Sequence, residues 1–177
     1  APPRFSESAE QSQATGQLGA FYRSNGNASG FNLGVEYVAP NLYLNYNGSL
    51  ARSDNYSAGG DFKPAGPGTV GGPWLTGSEV GSSAYNARNH DIGLAWRHDQ
   101  HLLQLNVSQQ NIPFEGFPNQ RMDMTANDST QVNLRYTGKY GWGQLMVRGY
   151  DQNTDHEMNM GPDRFSYGTQ GMPMNTQ

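Results

Sequence analysis

His156, Met158, Met160, Met172 and Met174 lie close together in the run DHEMNMGPDRFSYGTQGMPMN. With Met122 and Met124 they account for six of the chain's seven methionines. Methionine ordinarily fills irregular gaps in apolar cores. Here its neighbours are Asp, Asn, Glu, Gly and Pro, so there is no apolar stripe for it to complete. A thioether in polar surroundings is a soft donor, and thioether with imidazole suits copper, Cu(I) above all and Cu(II) through the imidazole. In an extended segment, residues i and i+2 project to one side. His156 and Met158 can therefore reach one ion, with Met160 next on the same side. Met172 and Met174 repeat the spacing around Pro173, and Met122 and Met124 do so more weakly.

Other chemistries find less support. His98 and His101 flank a tight turn and read as a solvated bend, and His90, beside Asp91 at a strand start, as a polar residue of the lumen or rim. Asp and Glu are scattered without the paired carboxylates of acid–base catalysis. No nucleophile elbow or triad order is visible. Gly59-Gly60 and Gly71-Gly72 precede no helix, which argues against a phosphate cradle. The chain does not read as an enzyme.

The elements that carry the cluster are strands. The 177 residues suit one domain. Only 34% are hydrophobic and 15% charged, with 23 Gly and 10 Tyr, too apolar-poor for a helical bundle. The net charge is -4 with no basic run, so nucleic acid is not an expected partner. Cysteine is missing, which excludes disulfides and thiolate sites made by this chain alone. No apolar run approaches the ~20 residues of a membrane helix. Period-2 alternation instead marks seven segments, such as Phe31-Leu33-Val35-Tyr37, Leu103-Leu105-Val107 and Val132-Leu134-Tyr136. Each has one apolar face and one face of Asn, Gln, Ser or charge.

The connections alternate in length. Ala39-Pro40-Asn41, Asp99-Gln100 and Gly141-Trp142-Gly143 are tight; residues 52–84, 109–128 and 151–177 are long and polar. Short turns on one rim and long loops on the other are the asymmetry of an outer-membrane barrel. Tyr37, Tyr43, Trp96, Tyr140 and Trp142 fall near the short turns, where an interfacial aromatic girdle sits. The expected fold is an all-β, antiparallel transmembrane β-barrel, partial at about seven strands, because bacterial single-chain barrels use an even number. Ala1-Pro2-Pro3 reads as an internal cut rather than a natural start. A soluble antiparallel β protein is the competing fold.

The runs IPFEGFPNQRMDMTANDSTQVNLRY and YDQNTDHEMNMGPDRFSYGTQGMPMNTQ resemble the TonB-dependent copper receptors of the Gram-negative outer membrane, of the OprC/NosA type. The resemblance covers nearly all of residues 1–177 and places them in the barrel just after the plug domain. It implies a plugged barrel of roughly 22 strands that imports copper with energy from the TonB complex. It also implies a site split between a plug Cys-x-x-x-Met pair and a barrel His-x-Met pair. The barrel half maps onto His156 and Met158, and the plug half would come from outside these residues. The expected partners are thus copper, the plug of the same receptor, TonB and the lipid bilayer. The alternative function is an outer-membrane adhesin or structural barrel whose long loops bind a protein partner; an outer-membrane enzyme and a soluble periplasmic copper carrier are weaker alternatives.

Overall fold

The structure is a computed structural model that describes residues 2–68 and 72–163. Nine strands follow one another: β1 (Gln13–Arg23), β2 (Ala28–Val38), β3 (Leu42–Ser53), β4 (Gly66–Pro67), β5 (Trp74–Leu75), β6 (Tyr85–His98), β7 (His101–Glu115), β8 (Asp123–Tyr140) and β9 (Gly143–Asn159). β4 and β5 form a two-residue hairpin inside the long β3–β6 connection. The other seven make one antiparallel sheet in the order β1-β2-β3-β6-β7-β8-β9. Every pair is a sequence neighbour apart from that inserted hairpin. Among the described residues no helix is long and apolar enough to cross a membrane, which does not bear on strands.

The seven expected strands are all present, but they are longer than the alternation predicts. Residues 109–115, 123–128 and 151–159, expected in loops, continue β7, β8 and β9. Only residues 116–122 connect β7 to β8. The short turns are as expected. Asp99 takes a left-handed φ of 50° in the two-residue β6–β7 turn, and Gly143 takes φ 143° after Trp142, a backbone region that favours glycine.

Register separates two faces. Leu44↔Leu94, Leu94↔Leu105 and Leu105↔Leu134 run across one of them. On that face Leu18, Leu44, Ile92, Trp96 and Leu134 are exposed. The opposite face carries Gln17, Asn47, Asp91, Ser108 and Gln131 around a concave space of about 420 Å³. A large exposed apolar face marks a surface meant for a non-aqueous neighbour.

Two aromatic expectations are corrected. Tyr43 is not part of the girdle. It points to the polar face, where it is buried with Val38 and Ala95 beneath Phe5 and donates to Glu36 Oε2 at 3.3 Å. Its odd position in β3 decides its face, whatever its residue type. The His90 side chain turns to the apolar side, with its ring against Tyr46 and Nδ1 2.8 Å from the Tyr46 hydroxyl. Trp96, Tyr140 and Trp142 do gather near the short turns. Tyr140 stacks on Trp142 at 5.2 Å and its hydroxyl meets that of Tyr136 at 2.6 Å. His101 joins this cluster through Tyr136, with 2.7 Å between Nδ1 and the hydroxyl, so it is a rim anchor more than a bare solvated bend.

Candidate metal centre

His156 and Met158 both lie in β9, in its outer part beyond the apolar band. From Leu145, at the short-turn end, to His156 is about 36 Å along the strand at ~3.3 Å per residue. The register pairs Asn127 with His156, Ala126 with Glu157 and Met124 with Met158. A bulge at Thr125 lies between Met124 and Ala126. The bulge adds one residue on β8, so Met124 and Asn127 both fall on the face of His156 and Met158. Directly opposed Cβ atoms in such a pair are about 4.5–5.5 Å apart. Three donors from two adjacent strands, one imidazole and two thioethers, therefore share one patch of the polar face.

Met124 is 8% exposed, Met158 is half-buried and His156 is exposed. The His156 Nδ1 lies 3.0 Å from Asn127 Oδ1. Met160 follows the strand end and is half-buried. Met122 lies in the turn before β8. Met172 and Met174 fall outside the described residues. Among the described residues no three His, Asp or Glu side chains gather as a metal-holding group. A metal site here has to rest on thioethers, which selects soft ions and disfavours Ca²⁺ and Mg²⁺, whose ligands are oxygens.

From spacing alone Met122 and Met124 read as a weaker repeat of the His156–Met158 pattern. Only the bulged register brings Met124 opposite Met158, and no local pattern announces that bulge.

A buried polar knot fixes the start of β8. Asp123 is fully buried and accepts from Ser82 Oγ at 2.7 Å and from the Phe117 amide at 2.9 Å. Asp163 Oδ2 accepts from the Ser82 amide at 2.9 Å and from Asn55 Nδ2 at 2.8 Å. Asn55 Oδ1 accepts from the Ser83 and Ala84 amides, both at 3.0 Å. Three connections are thereby tied together: the one after β3, the one after β7 and the one after β9. Glycine permits the contact at Gly116, where a Cβ would stand 2.2 Å from the Ser82 carbonyl oxygen. Asp123→Ala removes the acceptor that the Ser82 hydroxyl and the Phe117 amide use here, at about 1–3 kcal/mol each. We expect faster amide hydrogen exchange at residues 80–84 and 116–123 in this variant, with exchange in the apolar band unchanged.

No protein-family model matches the chain, and no curated protein matches it. Among solved structures, the copper transporter OprC superposes with a TM-score of 0.67 at 20% identity, over 99% of this chain and 25% of that one. The chain thus spans about a quarter of the length of that transporter. At such identity the likeness speaks for the fold: these residues are all-β, a run of seven antiparallel strands of a transmembrane β-barrel whose sheet does not close within them.

Proposed function

We propose that this chain is part of the barrel of an outer-membrane copper uptake receptor, and that His156 and Met158 capture copper on the outer side for TonB-energised import. The observation that carries the reading is the shared face of His156, Met158 and Met124 in the outer part of the polar wall. The similar solved structure is a copper transporter, which favours the same cargo. In this reading the polar face lines the lumen and the apolar face meets lipid.

The donor set fits copper. Two thioethers and a neutral imidazole hold Cu(I) without adding charge. Weak, exchangeable soft donors suit capture and release. The plug of the same receptor supplies the remaining ligands, so plug movement takes them away and frees the ion. Met124 is the third donor of the barrel half, and Met160 is an auxiliary one.

The test is bound copper and copper uptake in the full-length receptor, wild type against His156→Ala, Met158→Ala. Both fall while the barrel stays folded. Unchanged uptake sinks the reading and favours an adhesin or structural barrel, in which methionines are dispensable. Met124→Leu, which keeps the volume and removes the sulfur, is expected to weaken Cu(I) binding by about 10-fold and to leave folding unchanged. Competition with a Cu(I) chelator measures it.

A further inference from the structure

Across the polar face, five side chains from five successive sheet neighbours form one hydrogen-bonded row. Asn89 Nδ2 donates to Ser49 Oγ at 3.3 Å. Gln110 Nε2 donates to Asn89 Oδ1 at 3.1 Å. Asn127 Nδ2 donates to Gln110 Oε1 at 2.9 Å. Asn127 Oδ1 then faces His156 Nδ1 at 3.0 Å. Each of the three amides gives its N–H towards β3 and offers its carbonyl towards β9. An amide oxygen can only accept. With the amides in this order, the contact at the end of the row requires a proton on His156 Nδ1.

We propose that Asn127 is a positioning residue that holds His156 in its Nδ1–H tautomer and turns Nε2 to copper. The proposal rests on the copper reading of His156 given above. A neutral imidazole has one lone-pair nitrogen, and the hydrogen bond at the other nitrogen decides which it is. Metal-bound histidines commonly donate their second N–H to an oxygen, which fixes ring orientation and raises ligand basicity. Here that oxygen belongs to an amide already held from behind by Gln110, so its carbonyl is aimed at β9 before any ion arrives. The row spans β3 to β9, and the ring is thereby braced by the wall instead of by its own strand alone.

Gln110 and Asn89 carry no donor atom to the ion; their part is to keep the amide of Asn127 from turning over. A reversed row would have Asn127 donate to a bare Nδ1. The proton would then sit on Nε2, and no lone pair would be left for copper on either nitrogen without breaking the contact. The two arrangements therefore differ at one observable, the nitrogen that carries hydrogen in the copper-free protein.

The experiment uses the full-length receptor in detergent with ¹⁵N-labelled histidine, the His156 resonances being those lost in His156→Ala. Wild type is expected to show the proton on Nδ1. Asn127→Ala should release that preference and weaken Cu(I) binding by about 10–100-fold, the usual cost of losing such a partner. Asn127→Asp keeps an acceptor for the Nδ1 proton and should restore both tautomer and affinity to near wild type. A proton on Nε2 in the wild type overturns the proposal. So does an Asn127→Ala variant with unchanged affinity, provided His156→Ala loses copper. If His156→Ala binds copper as well as wild type, the copper reading itself fails, and the proposal with it, whatever the tautomer.

Discussion

Copper affinity in the His156→Ala, Met158→Ala receptor is expected to drop by about 10³-fold or more. Loss of an outer partner of a metal ligand costs about 10–100-fold, and loss of the ligand itself costs at least as much. Two such losses amount to roughly 4 kcal/mol. The barrel should not notice. His156 is exposed and Met158 is half-buried on the polar wall, so little apolar packing goes with them. Asn127 Oδ1, deprived of its ring partner, stays open to water. Residual binding is expected where the plug ligands remain. Met146 makes the control: it lies on the same face of β9, near the short turn, and is exposed. Met146→Ala should leave copper untouched. Equal loss in both variants would mean that thioethers collect copper non-specifically and that no localised site exists.

The second large effect concerns the other face. Leu134 is 46% exposed and stands between Leu105 and Gly149 in the middle of the apolar band. Leu134→Arg should destabilise the folded barrel in vesicles by about 2–4 kcal/mol, the cost of Arg on the lipid face near the bilayer midplane. Gln131 is three residues away in β8, on the opposite side between Ser108 and Gln152. Gln131→Arg places the same charge in water and should cost close to nothing. Denaturant titration of the vesicle-folded receptor separates the two. A small, equal cost for both would show that the apolar face does not meet lipid, and would return the soluble sheet to consideration.

The strand cores were legible in the sequence because they stand between two solvents. Leu103, Leu105 and Val107 alternate with Gln104, Asn106 and Ser108, and in the proposed reading one face meets hydrocarbon and the other water. Beyond the band both faces meet water, and the alternation stops at Gln109-Gln110-Asn111 and at Asp151 to Glu157 although the ladder continues. That is why three segments read as loop are paired backbone. Tyr43 was misplaced for a different reason. Its type suits an interface, but its hydroxyl serves Glu36 on the polar side. The i, i+2 spacing of His156 and Met158 carried over to a strand without change. The partnership with Met124 and Asn127 was not legible, because it depends on a register shift of one residue contributed by the bulge at Thr125. Asp123 likewise gave no hint that it is the buried end of a polar knot.

Strand length rises across the sheet, from 11 residues in β1 and β2 to 18 in β8 and 17 in β9. Measured from the short turns, the wall at β9 is about 20 Å longer than at β1 at ~3.3 Å per residue, or roughly 14 Å higher at a 45° tilt. The edge of this sheet away from the short turns is therefore slanted, low at β1–β2 and high at β8–β9, and the candidate donors stand just below its high end. In the proposed copper reading a hydrated ion would meet them while still bathed in external electrolyte, where the pull of distant charges fades within about 8 Å. In that reading recognition works by touch, not by attraction from afar. The rate of capture should then vary little with salt, and an excess of hard divalent cations should compete poorly for the place.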